Sequence, residues 1–385
     1  MQRLRSLRTD ERGMMFVFVG LGLLAFVAAS MLAIDVGMLM TARAQAQNSA
    51  DAGALAGAVA LVFDDYLDRS PSGPAVTSAV AAAASNQVMR EAVSVTPADV
   101  QFLNDPTGEP NRVRVTVFRR ADRGNPVSTL VAAYFGVATV DIAATATAEA
   151  SPANAATCVK PWGVPDKWDE RQTPIWDEND TFDLFDNKKK PLANPDVYVP
   201  ADQGGYTGFD SNPTGPDFGR QILLKAGNPN QAISSSHFYP IALPPDSGAA
   251  WYEENIPNCY SGLIQMAQEI SVEPGNMTGP TVRGTQELID KDPGAYWDAA
   301  QKRVVSQFSP SPRSVVIPVF DPKVYEESRQ HGRQDIKVAN LVGFFIEDLQ
   351  GNEVLGRIVP MTGLIRAEQG PVPGGAFLKA IRLVQ

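Results

Sequence analysis

The chain is poor in histidine, the side chain that enzymes use most often for acid–base catalysis. Its 385 residues include only two histidines, His237 and His331. No H-E-x-x-H, G-x-S-x-G or G-x-x-x-x-G-K-[ST] motif occurs, so a zinc protease, an α/β-hydrolase and a P-loop enzyme are not indicated. His237 follows the serines at 234–236, but a serine run in a Pro/Gly-rich stretch is typical of a loop. A carboxylate pair stays open, because its diagnostic separation is spatial. We expect no enzyme and no cofactor.

Basic charge is also scarce. Lys and Arg number 33 against 43 Asp and Glu, which gives a net charge of −10 and a pI near 4.9. Nucleic-acid phosphates require a dense basic face, which is absent. The run Lys188–Lys190 is the only basic cluster of note, and before Pro191 it indicates a solvated turn. Nucleic acid is therefore not an expected partner.

One short acidic stretch raises the question of a metal site. Its candidate calcium ligands are Asp177, Asn179, Asp180 and Asp183. An EF-hand loop counted from Asp177 needs Gly at its sixth place and Glu at its twelfth, where this chain has Phe182 and Lys188. An acidic surface loop is favoured, and calcium stays the weaker alternative.

Only two cysteines are present, Cys158 and Cys259. In an oxidising compartment such a pair favours a disulfide over two free thiols. Closing a loop of about 100 residues would remove on the order of 4 to 5 kcal/mol of unfolded-state entropy. A metal site is disfavoured because soft ligands are lacking around either cysteine.

The most prominent feature of the sequence is a long run without charged side chains, Met14–Ile34. As a helix it spans about 31 Å, close to the hydrocarbon thickness of a bilayer. Arginines precede it at positions 3, 5, 8 and 12, so the positive-inside rule predicts a cytoplasmic N-terminus. We expect a single-pass protein of the inner (cytoplasmic) membrane, with most of the chain periplasmic or extracellular.

Two other interpretations of this run are weaker. Small residues at Ala28–Ser30 would suit signal-peptide cleavage, but the run is longer than a usual signal-peptide core. The spacing of Gly20, Gly22 and Ala25 resembles a dinucleotide-binding fingerprint, which needs a helix N-terminus facing water. The residues after these glycines are apolar, so a retained anchor is favoured.

Asp35 follows the run directly, and two environments suit it. It marks the outer membrane interface, where its charge stays hydrated, or it lies deeper and requires a partner. The first is favoured because the preceding residues already fill a bilayer.

After the run the chain stays helical in character. Alanine recurs every fourth residue and forms a small-residue stripe, flanked by a G-x-x-x-G: Ala42, Ala46, Ala50, Ala54 and Ala58, with Gly53 and Gly57. Such a helix-packing surface lets another backbone approach closely. Packing against the chain's own sheet is favoured over an intermolecular helix contact. One long helix is expected to leave the membrane without a break.

Further segments have recognisable patterns. The predicted elements up to residue 150 are a helix over Ala75–Val93, a strand around Val113–Val117, a short helix over Val127–Phe135 and a strand over Val137–Ala148. Beyond Pro152 the predicted strands are Ser314–Val319, Val338–Ile346 and Val354–Val359, with a turn at Gly351-Asn352. All five tryptophans lie beyond Pro152, where they favour a core over a glycan surface.

Three sequence segments in fixed order resemble a known family: Glu11–Gly13, Ala33–Gly37 and Gln47–Ala58, closed by Ala144–Ala150. Together they are similar to the N-terminal module of TadG-like proteins of the Flp (Tad) pilus-assembly system, over about residues 8 to 150. Pilins of this class carry a glutamate five residues after the processing glycine, where this chain has Phe18.

The resemblance implies a membrane-anchored component of pilus assembly that contacts other subunits rather than catalysing a reaction, and self-association stays open. The predicted fold class is α+β, a transmembrane helix continuing into a pilin-like helix-plus-sheet module and then a mainly β domain. Expected boundaries are 1–12 for a cytoplasmic tail, 13–40 for the anchor, 41–150 for the module and 151–385 for the β domain. The alternative is a membrane-tethered binding module or adhesin for a glycan, peptide or calcium.

Overall fold

The computed structural model describes residues 11–63, 68–106, 108–172, 176–177, 179–210, 215–228, 231–330, 335–366, 372–373 and 375–384. The chain divides into two compact units. Unit 1 comprises residues 1–57, 69–148 and 383–385, and unit 2 comprises residues 58–68 and 149–382. The predicted α+β class is confirmed, with a long apolar N-terminal helix ahead of a mainly β part.

The first element is one continuous helix, α1 (Glu11–Phe63). No proline interrupts it, and its second half is rich in alanine, the strongest helix former. Residues 13–34 are all exposed on the folded chain, and Asp35 is the first buried residue. The prediction of a helix that continues beyond the apolar run is therefore confirmed.

A second helix, α2 (Pro74–Ser85), begins with proline at its first turn, where the missing N–H costs nothing. It ends eight residues earlier than the predicted Val93. Asn86 is extended, and Met89 and Arg90 adopt left-handed backbone angles that turn a small hairpin of β1 (Gln87–Val88) and β2 (Glu91–Ala92). The helix prediction over 86–93 is wrong because these local turn conformations stop the helix.

Unit 1 also contains an antiparallel pair, β3 (Val100–Leu103) and β4 (Arg112–Arg119). Buried and half-buried residues alternate along β4, which confirms the predicted half-buried strand. The helix predicted over Val127–Phe135 is wrong in its first half. Residues Val127–Ser128 form strand β5, which pairs with β6 (Thr139–Val140), and only Ala132–Phe135 forms a 3-10 helix. Strand β7 (Ile142–Pro152) follows and lies beside β4.

Unit 2 is built on a closed six-stranded barrel. Its strands, in sheet order, are β17 (Asp335–Gln350), β16 (Ser314–Phe320), β9 (Trp162–Pro165), β11 (His237–Pro240), β10 (Gln221–Ala226) and β18 (Glu353–Ile358). Pairing of β18 with β17 closes the ring, and β13 (Glu269–Ser271) adds to β17. The three predicted late strands are confirmed, with Gly351 in a left-handed conformation at the turn.

Short elements complete unit 2. They are the strands β8 (Ala155–Ala156), β12 (Ile264–Gln265), β14 (Tyr296–Asp298) and β15 (Arg303–Val305), and the helices α3 (Ala249–Glu254), α4 (Thr278–Asp290) and α5 (Pro322–Gln330). Strand β19 (Lys379–Val384) begins in unit 2, and its last two residues are counted with unit 1. Helices α4 and α5 each contact β17. Residues 166–220 contain no helix or extended ladder among those described, and isolated bridges join their loops.

Aromatic side chains fill the core of unit 2. Trp162 and Trp168 are almost fully buried, and Trp176 is nearly so. Trp168 meets the rings of Phe182 and Trp176 edge-on at 5.4 and 6.0 Å between centroids. Such contacts stabilise a core that has little regular backbone pairing. These three tryptophans do not form an exposed glycan platform.

Candidate functional site

The candidate site lies in unit 1, where the apolar run of α1 meets the folded part of the chain. Within the described residues, α1 is the one helix long and apolar enough to cross a membrane. Between Met14 and Ile34 no side chain is buried by the rest of the chain. An exposed apolar surface of this length requires lipid or other apolar helices around it.

Asp35 follows this exposed apolar section directly, and it accepts hydrogen bonds from a segment that is distant in the chain. Its Oδ1 accepts the N–H of Leu130 at 2.9 Å, and its Oδ2 accepts those of Val131 and Ala132 at 2.9 and 2.6 Å. Only 3% of the residue is exposed. The expectation that the charge stays hydrated is wrong, because these three backbone donors take the place of water.

The segment bound by Asp35 is a small apolar hairpin, residues 127–140, closed by β5 and β6. No charged residue occurs in it. Its tip is the 3-10 helix Ala132–Phe135, which ends at Gly136 in a left-handed conformation. Tyr134 is 88% exposed and Phe135 is 78% exposed. Large aromatic side chains this open, beside the end of an apolar helix, are unusual on a soluble surface.

The alanine stripe is buried inside the folded chain. All five stripe alanines, Ala42, Ala46, Ala50, Ala54 and Ala58, have at most 1% of their surface exposed. Ser49 on the same helix donates its hydroxyl to the carbonyl of Ala83 in α2 at 2.7 Å. The backbone of Met89 donates to Gln45 at 2.8 Å.

The two glycines of the G-x-x-x-G explain why small residues are needed there. A Cβ built on Gly57 would lie 2.8 Å from Val113 Cγ1 and 3.2 Å from Ala79 Cβ. One built on Gly53 would lie 3.0 Å from the Ala79 carbonyl oxygen. The glycines therefore let α1 approach both α2 and β4. A stripe covered in this way is not a free docking surface, so subunit contacts through it are not supported.

The outward face of α1 remains available. Arg43, Ala44, Gln47 and Asn48 are exposed two to four turns above Asp35. Gln47 donates to Asp51 at 2.8 Å and to the Thr145 carbonyl at 3.3 Å, which ties this face to β7. Three of the four exposed residues are polar, so the face suits a hydrogen-bonded protein contact.

The acidic stretch of the calcium hypothesis uses its oxygens internally. Asp180 accepts the N–H of Asp177 at 2.5 Å, and Asp177 accepts that of Asn179 at 2.7 Å. Asp183 accepts the hydroxyl of Thr181 at 2.9 Å. Among the residues that the structure describes, no group of three or more His, Cys, Asp or Glu side chains is placed to hold a metal ion.

The cysteines and the described histidine lie in unit 2. Cys158 and Cys259 form a disulfide that closes a sequence separation of 101 residues. His237 lies on β11, and burial lowers the pKa of its imidazole. Ser235 donates its hydroxyl to the Asp177 carbonyl at 2.7 Å rather than to a histidine. His331 lies outside the described residues.

Sequence reasoning missed a buried carboxylate in unit 2. Asp166 accepts the hydroxyls of Tyr198 and Tyr206 at 2.9 and 2.7 Å and the N–H of Phe209 at 3.0 Å. Burial raises the pKa of Asp166 to about 6, and the hydrogen bonds from Tyr206, Phe209, Tyr198 and Lys167 oppose that rise. The tyrosines are more than thirty residues away in the chain, so no local spacing could have indicated the cluster.

Comparison with known protein families gives a match at the N-terminal end of the chain. Residues 13–60 match the family model described as a putative Flp pilus-assembly TadE/G-like domain. The matched range lies entirely on α1 and includes the apolar run, Asp35 and the stripe. No curated protein and no solved structure matches the chain. The recognition of a TadE/G-like N-terminal module is confirmed over this range, and it supports a role in pilus assembly.

Proposed function

We propose, from the TadE/G-like segment that this chain carries, that the protein is an inner-membrane-anchored, extracytoplasmic component of Flp pilus assembly. It acts through contacts with other pilus components rather than by catalysis. The observation that carries the proposal is that the matched residues 13–60 coincide with a helix that is bare over its apolar part and packed from Asp35 onward.

The orientation follows from charge. Four arginines precede the apolar run within the first twelve residues. Arginines flanking a first helix favour retention of that end in the cytoplasm. The body beyond Asp35 is then periplasmic or extracellular, where a disulfide such as Cys158–Cys259 persists.

Two surfaces of α1 suit subunit contacts. Within the bilayer, the uncovered side chains between Met14 and Ile34 offer packing to other apolar helices. Outside it, the polar face at Arg43, Gln47 and Asn48 is open. The absence of glutamate at Phe18 supports an assembly component over a polymerising pilin subunit.

Photo-crosslinking in the piliated bacterium tests the proposal. A photoreactive amino acid replaces Asn48 on the outward face of α1 in one strain and Glu109, exposed elsewhere in unit 1, in a matched control strain. We expect products with pilus-assembly subunits from the Asn48 position, and few or none from Glu109. Deletion of the gene is expected to reduce surface pili counted by electron microscopy, with recovery when the intact chain is restored.

Normal piliation in the deletion strain would contradict the proposal. Membrane orientation is checked in the same cells with single added cysteines. Ser6→Cys is expected to resist an impermeant thiol reagent in spheroplasts, whereas Glu109→Cys is expected to react. The reverse labelling would refute the orientation. The alternative of a tethered glycan or calcium module has no specific observation in its favour.

A further inference from the structure

The role proposed for α1 does not explain the apolar hairpin, residues 127–140. It exposes Leu130, Tyr134, Phe135 and Val137 from one short tip. Its conformation is held by α1, because three of its backbone N–H groups donate hydrogen bonds to the Asp35 carboxylate. The position of the tip is therefore defined by where Asp35 lies relative to the bilayer.

That position is at the membrane boundary. The run Met14–Ile34 fills the hydrocarbon thickness as a helix, so Asp35 lies at its outer edge. Side chains on a helix lean toward its N-terminus, so the Asp35 carboxylate points toward the membrane. The hairpin residues that donate to it therefore lie close to that boundary.

The exposure pattern along α1 indicates the same direction. Val27 and Met31 lie two turns and one turn below Asp35 on the same face, and they are 39% and 42% exposed. All other large apolar side chains in the run are more exposed. The two least exposed large apolar side chains of the run thus lie on the face of α1 that carries Asp35, on the membrane side of that residue.

The chemistry of the hairpin suits that depth. Tyrosine and tryptophan side chains are enriched at the membrane–water interface, and large aromatic rings contribute much apolar surface there. Backbone near lipid must have its polar groups satisfied within the protein. Here Thr129, Tyr134, Gly136 and Val137 donate to carbonyls of the hairpin itself, and residues 130–132 donate to Asp35. The hydroxyl of Thr129 also donates to Val137.

We propose that the apolar hairpin is a second membrane contact, which inserts Tyr134 and Phe135 into the outer headgroup region of the bilayer that α1 crosses. The occupant of this surface is lipid, and the inference rests on the membrane anchor of the proposed function. Two contact points on one bilayer fix the tilt and rotation of unit 1 against the membrane, which a single helix leaves free.

Spin labels on the full chain in phosphatidylcholine/phosphatidylglycerol vesicles test the proposal. The native cysteines are closed in a disulfide, so each added cysteine carries the only label. Phe26→Cys lies in the apolar run and reports the anchor. Glu109→Cys lies just before Val113, which packs against Gly57, about 33 Å along α1 from Asp35. Tyr134→Cys reports the hairpin.

The measurement is the ratio of collisions with oxygen, which concentrates in lipid, to collisions with a water-soluble nickel chelate. We expect this ratio at position 134 to be several-fold above that at 109 and below that at 26. A ratio at 134 equal to that at 109, with 26 still in lipid, would overturn the hairpin proposal and leave the anchor standing. A water-like ratio at 26 would instead refute the anchor.

Contact of the hairpin with a protein partner or a second copy, instead of lipid, would give a different result. The label at 134 would then be immobile and shielded from both reagents, which also overturns the lipid contact. A double variant combines Tyr134→Cys with Asp35→Ala, which releases the three N–H groups. We expect the label to become more mobile and its oxygen-to-nickel ratio to fall toward that at 109. An unchanged ratio would show that Asp35 does not place the hairpin in lipid.

Discussion

Asp35 illustrates how a single carboxylate can hold together two segments that lie 95 to 97 residues apart in the chain. It supplies acceptors for N–H groups at the start of a 3-10 helix, which have no partner within that helix. A buried carboxylate costs free energy unless such donors surround it. The three contacts therefore stabilise both Asp35 and the hairpin.

Substituting Asp35 by alanine tests this role. Three part-buried N–H groups would lose their acceptor, and about 1 to 3 kcal/mol is the upper range of the cost for each unsatisfied group. We expect residues 129–138 to exchange their amide hydrogens faster while the β3–β4 ladder stays protected. Hydrogen exchange measured by mass spectrometry in detergent micelles provides the check.

The matched control is Asp122→Ala in the same unit. Asp122 is exposed and pairs with a half-exposed Arg120 at 3.4 Å, a contact worth little. We expect no change in the hairpin for this variant. Equal exchange in Asp35→Ala and the unaltered chain would show that the Asp35 contacts do not stabilise the hairpin.

Asp166 predicts a pH dependence of stability in unit 2. Its pKa is about 6 in the folded state, against about 3.9 in an unfolded chain. The folded state thus binds the proton more tightly, so the free energy of unfolding falls as pH rises between about 4 and 6. The two pKa values set this loss at about 3 kcal/mol at most.

The variant Asp166→Asn removes the titrating group. We expect its free energy of unfolding to fall less between pH 4 and pH 7 than that of the unaltered chain. Denaturation followed by tryptophan fluorescence reports on unit 2, because all five tryptophans lie there. Asp202→Asn, at an exposed position, is expected to keep the original pH dependence. Parallel curves for Asp166→Asn and the unaltered chain would contradict the prediction.

At the scale of elements, α1 serves two environments with one continuous helix. Its first part needs apolar bulk, and its second part needs small residues so that α2 and β4 can approach. The sequence shows both requirements, because the period-four alanines begin soon after the apolar run ends. Which partner the stripe takes is decided by the fold.

Glycine-to-alanine substitutions on α1 separate packing from helix propensity. Gly57→Ala places a Cβ 2.8 Å from Val113, and overpacking of this kind costs about 1 to 3 kcal/mol against a gain of up to about 1 kcal/mol in propensity. We expect a net loss of about 1 kcal/mol, seen as faster hydrogen exchange of the β4 amides.

Gly37→Ala is the control on the same helix, since nothing lies within 4 Å of a Cβ placed at that position. This variant gains helix propensity without any overpacking. We expect hydrogen exchange of the β4 amides to stay equal or to become slower. If Gly57→Ala protects β4 as well as Gly37→Ala does, close packing at Gly57 is not what the fold requires.

At the scale of the whole molecule, unit 2 is held by connections between parts far apart in sequence. Strand β17 pairs with β16, β18 and β13, and β18 returns to β10 to close the barrel. The disulfide adds a covalent link between residues 158 and 259. Unit 2 is therefore expected to unfold cooperatively around this network.

The double variant Cys158→Ala/Cys259→Ala tests the covalent link. Opening a loop of about 100 residues restores unfolded-state entropy equivalent to about 4 to 5 kcal/mol. We expect the free energy of unfolding of unit 2, followed by tryptophan fluorescence, to fall by up to that amount. An unchanged denaturation midpoint and slope would show that noncovalent pairing alone sets the stability of this unit.

The sequence by itself determined the features that depend on local pattern. An uncharged run of bilayer length, its arginine flank, the alanine ladder and the alternating β4 can each be recognised within a few turns or one strand. The late strands and the Gly351 turn were predictable for the same reason. The disulfide was predictable from the even number of cysteines and the expected oxidising compartment, and not from the separation of the two cysteines in the chain.

Only the tertiary structure decided what depends on contacts between distant residues. It placed Leu130–Ala132 on Asp35, the tyrosines at 198 and 206 on Asp166, and β18 beside β17. Loop closure over such separations leaves no periodic trace in the sequence, because either partner alone looks like an ordinary surface residue. The apolar hairpin therefore became recognisable as a partner of α1 only once its N–H groups were found on Asp35.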